Sequence, residues 1–179
     1  MSTSPAPASS KQVRVNGTDV HYVEAGEGPP LLLLHGGFVS TNALWDGHPA
    51  TYNSNLAAFT ARFRVIAPDA RGYGRTMNPS GASITYAQLV EDVLALSAAL
   101  GLDRPMICGF SEGATIATMA AMRSPAAFRA VVNDAGFDMI NPQSPAYAMG
   151  RKIFGGSPDA TVLCSAPSGT PARSRPRPV

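Results

Sequence analysis

Residues 105–122 read PMICGFSEGATIATMAAM, and this stretch decides the fold. It opens with a short apolar run, which is typical of a buried strand, and it closes with small residues, which are typical of a closely packed helix. Ser111 lies at the junction, with Gly109 and Gly113 on either side. A nucleophile at a sharp strand-to-helix turn has a strained backbone and needs small neighbours. The stretch therefore predicts that Ser111 is a nucleophile presented at such a turn.

Strand and helix patterns alternate on both sides of this turn. Apolar runs at residues 29–34, 64–68 and 128–133 indicate further buried strands. Residues 83–102 place apolar side chains at three- and four-residue steps, which indicates a helix ending at a glycine. This alternation predicts an α/β fold, with a mostly parallel sheet covered by helices on both faces.

The N-terminal part of the chain predicts a hairpin that follows a disordered leader. Residues 1–11 have neither the basic start nor the apolar core of a secretory signal, so we expect a disordered leader there. Apolar and polar residues then alternate around an Asn-Gly pair, which predicts a β-hairpin with strands near 12–15 and 19–24.

Two more glycine-rich loops follow buried strands. In the loop His35-Gly36-Gly37-Phe38, we expect the backbone N–H of Gly37, with that of Phe38 as the alternative, to act with that of Glu112 as an oxyanion hole. The other loop covers residues 68–76, where we expect Asp69 and Arg71 to pair and Tyr73 to line the site. Open α/β sheets place their sites at the carboxyl ends of strands, so the three loops together predict one site.

The motifs LLLLHGG (31–37), DARGYGRT (69–76) and GFSEG (109–113), in this order, resemble the N-terminal half of an α/β-hydrolase-fold serine hydrolase. The resemblance runs from about Val13 to about Pro158. It implies an ester, lactone or related acyl substrate, an acyl-enzyme on Ser111, and no metal or organic cofactor. A serine at this position, where an aspartate would otherwise stand, argues against the epoxide-hydrolase and haloalkane-dehalogenase branches.

The catalytic base is where the chain departs from the resemblance. In this fold the chain order is nucleophile, acid, histidine, yet His21, His35 and His48 all precede Ser111. We expect His35 to prop its loop, His21 to lie exposed on the hairpin edge, and His48 to be the first histidine to test as a base. The candidate acid is Asp134, whose alternative role is that of a loop residue or a helix cap.

The C-terminal composition predicts an incomplete domain. We expect residues 12–158 to form a partial α/β-hydrolase domain, truncated after about the sixth strand, in which residues 140–158 begin a cap. Residues 159–179 read as a disordered Pro/Arg/Ser-rich tail, as a shifted reading frame would produce. The alternatives are a basic tail with a purpose of its own and a linker whose partner chain supplies the rest. Truncation predicts an open apolar edge strand at RAVVND (129–134) and a tendency to aggregate.

Charge and composition restrict the other functional classes. The net charge of +2 depends on three arginines in the last seven residues, and the remaining chain has 11 basic and 12 acidic side chains. We therefore expect no nucleic-acid partner, and the apolar runs are too short for a membrane helix. Cys108 and Cys164 match no metal-ligand spacing, and Cys108 is expected to be a buried thiol.

Three functional hypotheses follow for this chain. The first is a cytoplasmic serine hydrolase, esterase-like and acting on a small acyl substrate, that is impaired or inactive as this chain. The second is a catalytically dead fragment or pseudo-enzyme that at most binds a ligand or a partner chain. A tail-based interaction module is a third and weaker alternative, and the oligomeric state stays open.

Overall fold

The computed structural model describes residues 8–37, 58–136 and 143. Within them, six strands form one sheet in the order β1-β2-β4-β3-β5-β6. Two α-helices and one 3-10 helix lie wholly within the described ranges, and residues 58–60 are helical as well. The elements are β1 (Ser9–Val15), β2 (Thr18–Ala25), β3 (Pro30–Leu34), β4 (Arg64–Pro68), α1 (Tyr86–Ala99), β5 (Met106–Phe110), α2 (Glu112–Arg123), the 3-10 helix (Pro125–Ala127) and β6 (Ala130–Asp134).

The sheet confirms the predicted mostly parallel α/β architecture. β3 pairs in parallel with β4 and with β5, and β5 pairs in parallel with β6. β2 runs antiparallel to both β1 and β4. Because the carboxyl ends of β3, β4 and β5 lie at one edge of the sheet, the three glycine-rich loops that follow these strands emerge together.

The N-terminal hairpin forms as predicted, with longer strands. Its turn is made by Asn16 (φ 43°) and Gly17 (φ 78°), and left-handed backbone at both positions is what a two-residue hairpin turn requires. β1 begins at Ser9, so residues 9–11 of the predicted leader belong to the strand. Pairing with Val23 and Glu24 of β2 gives the main chain of these residues ladder partners, which the polar sequence alone did not indicate.

The core lies on both faces of the sheet. On one face α1 and α2 pack against Leu32, Leu34 and Ile107, and α1 contributes Leu89, Val93 and Leu96 as its spacing predicted. On the other face Phe59 and Phe63 pack against Leu31, Leu33, Val65, Ala67 and Cys108, and the Cys108 thiol is buried as expected. α1 is shorter than predicted because Thr85 caps it, accepting a hydrogen bond from Gln88 N at 3.1 Å.

β6 lies at the edge of the sheet, as the sequence predicted. Its Val131 and Val132 are 38% and 52% exposed, which is unusual for a parallel strand because such strands are normally covered on both faces. The predicted cap (140–158, apart from Gln143) and the predicted tail (159–179) lie outside the described residues. None of the helices in the described ranges is long and apolar enough to cross a membrane.

A buried ion pair joins α1 to the loop after β4. The Arg71 guanidinium donates to both carboxylate oxygens of Asp92, from Nε at 2.7 Å and from Nη2 at 2.9 Å. Asn16 adds a hydrogen bond from Nδ2 to Asp92 Oδ1 and accepts one from Arg71 at its backbone oxygen. The predicted Asp69–Arg71 pair is therefore wrong, because packing of α1 on the sheet brings a second carboxylate into bidentate range of Arg71.

The substitution Asp92→Asn tests how much this ion pair contributes to the free energy of unfolding. Removal of one partner from a buried ion pair leaves the other charge uncompensated, so we expect the free energy of unfolding to fall by about 3 kcal/mol. Asp19→Asn is the control, because its pair with Arg14 is exposed and should change stability by less than about 1 kcal/mol. Urea denaturation monitored by circular dichroism measures both values, and equal small losses would contradict the assigned role.

Candidate active site

Ser111 lies between β5 and α2 in a strained backbone conformation. Its φ is 51° and its ψ is −115°, and its side chain makes no capping hydrogen bond to the helix. A non-glycine residue with positive φ is uncommon and is typical of functional sites. Three hydrogen bonds hold the turn: Ser111 N donates to Asp134 O at 2.8 Å, and Ser111 O accepts from Ala114 N at 3.1 Å and from Thr115 N at 3.2 Å. The geometry matches the strand-to-helix turn that the sequence predicts.

The flanking glycines leave no room for a side chain. A Cβ atom on Gly109 would overlap the carbonyl group of Gly113, on the first turn of α2. A Cβ atom on Gly113 would overlap the backbone oxygens of Leu34 and His35 at the end of β3. The two glycines therefore let α2 begin directly against the ends of two neighbouring strands.

The His35-Gly36-Gly37 loop lies against this turn. A Cβ atom on Gly36 would be 3.3 Å from the Ser111 Cβ, and one on Gly37 would be 2.9 Å from Glu112 Oε2. The N–H groups in the first turn of α2 lack acceptors within the helix, which is the arrangement that favours an anion. The structure thus brings Gly37 beside Glu112, and their role as oxyanion donors stays a prediction.

His35 props its loop and keeps both ring nitrogens occupied. Nε2 accepts the backbone N–H of Ala70 at 2.9 Å, so the proton resides on Nδ1, which donates to Gly36 O at 2.7 Å. Burial lowers the pKa of His35, with partial opposition from the Gly36 carbonyl and from Asp69. A neutral imidazole with these two partners is not placed to take a proton from Ser111.

Tyr73 connects all three loops. Its hydroxyl donates to Glu112 Oε2 at 3.0 Å, and its ring meets that of His35 edge-on at a centroid distance of 5.4 Å. Burial raises the pKa of Tyr73 to about 12, and the Glu112 carboxylate adds to this rise. The phenol therefore stays a hydrogen-bond donor at ordinary pH.

The buried carboxyl of Glu112 is the site feature that sequence reasoning missed, since only its backbone N–H was expected to matter. Burial raises the pKa of Glu112, and hydrogen bonds from Tyr73 and Tyr86 oppose that rise. A glutamate at the first position of a helix ordinarily faces solvent and the helix dipole. In the sequence, only the tyrosines at 73 and 86 could have indicated hydrogen-bond partners for the Glu112 carboxyl. Their positions in the sequence do not reveal this, because only the fold brings them beside Glu112.

His21 lies elsewhere in the sheet and is buried, so the expectation of an exposed edge residue is wrong. It is 2% exposed, because the loop after β4 covers it and Thr76 Oγ1 accepts its backbone N–H at 2.9 Å. Its Nδ1 lies 3.1 Å from Asp69 Oδ2 and its Nε2 lies 2.7 Å from Ser10 Oγ. Both histidines within the described ranges thus have partners other than Ser111, and His48 lies outside those ranges.

Asp134 ends β6 directly opposite Phe110, the residue before the nucleophile. It contacts Ser111 through its backbone oxygen. Its carboxylate is close enough to add to the effect of burial in raising the pKa of Cys108. The structure thus brings Asp134 beside the turn, and its role as the catalytic acid stays a prediction.

A small cavity beneath the site does not reach Ser111. It has a volume of about 30 Å³, which suits roughly one water molecule and is far below the size of a ligand pocket. Its walls come from β2, β3, β4, α1 and α2, and they include the Arg71–Asp92 pair. The cavity lies in the core between the sheet and the helices, so it is not a substrate pocket.

The fold and the turn at Ser111 are those of an α/β hydrolase, and a sequence model of the alpha/beta hydrolase fold matches residues 29–158. The chain belongs to this family. It is 37% identical over 120 residues to an epoxide hydrolase from Caballeronia sordidicola, covering 66% of this chain and 34% of that protein. It is 34% identical over 145 residues to epoxide hydrolase 3 from Siraitia grosvenorii, covering 80% and 44%.

Solved structures agree with this assignment. Epoxide hydrolase VrEH1 from Vigna radiata superposes with a TM-score of 0.65 at 30% identity, covering 83% of this chain and 46% of that one. A bacterial membrane phospholipase A superposes with a TM-score of 0.62 at 28% identity, covering 69% and 38%. The chain thus spans less than half the length of the relatives described here.

The names of the relatives can be compared with the expectation, drawn from Ser111, about which branch of the family the chain belongs to. Several carry the names epoxide hydrolase and haloalkane dehalogenase, and these are the two branches against which a serine at position 111 argues. The chain is therefore similar in sequence to members of those branches. The chemistry that a serine performs at this position stays a prediction.

The substitution Gly113→Ala tests the close approach of α2 to β3. Alanine has the better helix propensity, so propensity alone predicts a gain of about 1 kcal/mol. We expect a net loss of about 3 kcal/mol in the free energy of unfolding, because the new Cβ overlaps the carbonyl groups that end β3. The control Gly101→Ala has open space and a φ of 61°, so it should cost about 1 kcal/mol for left-handed backbone. A stabilised Gly113→Ala variant in urea denaturation would contradict the packing.

The substitution Glu112→Gln tests the buried carboxyl through pH. A carboxyl whose pKa is raised on folding binds more protons in the folded state, so its contribution is full at low pH and is lost as pH rises above the ordinary value of 4.5. We expect the stability of the wild type to fall with pH above this value relative to Glu112→Gln, which keeps an acceptor for Tyr73. The control Glu91→Gln removes an exposed carboxylate on α1. Parallel pH profiles for wild type and Glu112→Gln in urea denaturation would contradict the assignment.

Proposed function

We propose that this chain carries the nucleophile half of a serine hydrolase site, which acts on ester, lactone or related acyl substrates through an acyl-enzyme on Ser111. As this chain alone, it is impaired or inactive. The proposed setting is the cytoplasm, with a small-molecule substrate and without a nucleic-acid partner, a membrane partner or a cofactor. The observation that carries the proposal is the positive φ of Ser111 at the start of α2, between two glycines that cannot be larger.

Three features support the choice of Ser111 as nucleophile. Its side chain is not used as a helix cap, although serine at this position commonly is. The backbone of the neighbouring loop packs against it, since a Cβ atom on Gly36 would lie 3.3 Å from the Ser111 Cβ. The first turn of α2 supplies N–H groups and the positive end of the helix dipole for a developing oxyanion.

The proposed impairment rests on the lack of a base beside Ser111 in the part of the chain that the structure describes. A serine hydroxyl is a weak nucleophile until an adjacent base takes its proton. His35 and His21 both have their ring nitrogens in contact with other groups. Without a base, an oxyanion hole and binding alone leave a residual acceleration on the order of 10³ over water.

The second candidate is a catalytically dead fragment or pseudo-enzyme that binds a ligand or a partner chain. The exposed valines of β6 favour it, because an uncovered parallel edge strand is a surface on which another strand can pair. The names of the relatives suggest a further substrate class, epoxides or haloalkanes, for the complete site.

A fluorophosphonate probe distinguishes these readings, because it marks only a serine made nucleophilic. We expect little labelling of Ser111 in the folded chain and a clear increase when imidazole is added as an external base. The increase should vanish in Ser111→Ala and persist in Ser124→Ala, a control at the other end of α2. The labelled residue is located by peptide mass spectrometry.

Two outcomes would contradict the proposal. Rapid labelling of Ser111 without imidazole would mean that a base is present, and His48→Ala would be the next variant. No labelling at any imidazole concentration, from protein that is folded by circular dichroism, would mean that Ser111 is not presented as a nucleophile and would favour the dead-fragment reading.

A further inference from the structure

A second group of polar side chains lies at the hairpin side of the sheet. It joins Ser10 on β1, His21 on β2, and Asp69 and Arg75 from the loop after β4. β2 is separated from β5, the strand that leads to Ser111, by β4 and β3. Ser10 also precedes the range that the family model matches, which begins at residue 29.

The distances form a continuous hydroxyl–imidazole–carboxylate chain. Ser10 Oγ lies 2.7 Å from His21 Nε2, and His21 Nδ1 lies 3.1 Å from Asp69 Oδ2. These are the two contacts that define a catalytic triad, and such triads are recognised by geometry rather than by position in the chain. Burial follows the same pattern: Ser10 is exposed, His21 is 2% exposed and Asp69 is fully buried.

The hydrogen bonds fix where the protons lie. The Asp69 carboxylate can only accept, and its Oδ2 also accepts the backbone N–H of Arg75 at 3.0 Å. In the neutral ring the His21 proton therefore resides on Nδ1, and the Nε2 lone pair is shared between two donors, the Ser10 hydroxyl at 2.7 Å and Arg75 Nη1 at 3.0 Å. This tautomer is the one that a general base needs.

Arg75 places a cation at the same hydroxyl. Its Nη1 lies 3.2 Å from Ser10 Oγ and 3.0 Å from His21 Nε2. A guanidinium there stabilises negative charge developing on Ser10 or on a bound acyl oxygen. On the same two strands, Lys11 pairs with Glu24 at 2.7 Å.

We propose that Ser10, His21 and Asp69 form a second nucleophilic serine site, with Arg75 as its oxyanion donor, for small activated esters that reach the exposed face of β1. Ser10 Oγ bonds to the acyl carbon while its proton passes to His21 Nε2. The bond from that carbon to the leaving oxygen then breaks, and the same proton goes to the leaving alcohol. The products are an acyl-Ser10 ester and the free alcohol. This proposal does not rest on Ser111.

The test is the location of a fluorophosphonate adduct in the wild type, Ser10→Ala, Ser9→Ala and Ser111→Ala. Ser9 is the matched control, because it precedes Ser10 on the same strand and its hydroxyl donates only to the backbone of Glu24 among the contacts described. We expect the adduct on Ser10 to form about 100-fold faster than on Ser9, which is the contribution of a positioned general base. It should persist in Ser9→Ala and Ser111→Ala and be absent from Ser10→Ala.

The labelled residue separates failure of this proposal from failure of the Ser111 proposal, because fragmentation of the peptide 1–11 locates the adduct apart from the Ser111 peptide. An unlabelled Ser10 in folded protein, or equal labelling of Ser9 and Ser10, would overturn the second site.

Two cysteine substitutions, Ser10→Cys and Ser9→Cys, provide a measurement that does not depend on probe size. A thiol beside an imidazole base and a guanidinium has a lowered pKa, so Cys in Ser10→Cys should be alkylated by iodoacetamide at neutral pH about tenfold faster than Cys in Ser9→Cys. Both substitutions fall on an exposed strand and should leave the fold intact. Equal alkylation rates at the two positions would overturn the proposed activation of Ser10.

Discussion

The close approach of α2 to the end of β3 is the contact on which the rest of the site depends. Gly113 lies so near the carbonyl groups of Leu34 and His35 that no side chain fits between the helix and the strand. This approach fixes where α2 begins, and the beginning of α2 in turn forces Ser111 into a left-handed backbone conformation. The strain is local, and the hydrogen bond from Ser111 N to Asp134 O supports it.

The loops around Ser111 are held in place by hydrogen bonds and an ion pair that do not involve Ser111 itself. His35 joins its own loop to the backbone of Ala70. Arg71, one residue further on, joins that second loop to α1 through Asp92. A buried carboxylate with two guanidinium bonds is costly to break, so these contacts hold the loop in one arrangement. In the described residues these contacts hold the loops beside Ser111, and neither described histidine faces it.

Local patterns predicted much of this arrangement, because glycine spacing and side-chain periodicity carry local information. The Ser111 turn, the hairpin and the order of strands and helices all follow from such patterns. Contacts between distant segments did not follow. The partner of Arg71 is Asp92, which only the packing of α1 brings near, and the burial of His21 depends on a loop about 50 residues further along the chain. The contact between Ser10 and His21 likewise requires the strand register.

The most direct test of the account is the steady-state hydrolysis of 4-nitrophenyl acetate by the folded chain, compared with Ser111→Ala. Neither histidine in ranges 8–37 and 58–136 is placed to take a proton from Ser111. The part of the rate that depends on Ser111 should therefore stay within about 10³ of the uncatalysed reaction. A turnover number on the order of 10 s⁻¹, typical of a complete enzyme and lost in Ser111→Ala, would contradict the account, because it would require a base acting on Ser111.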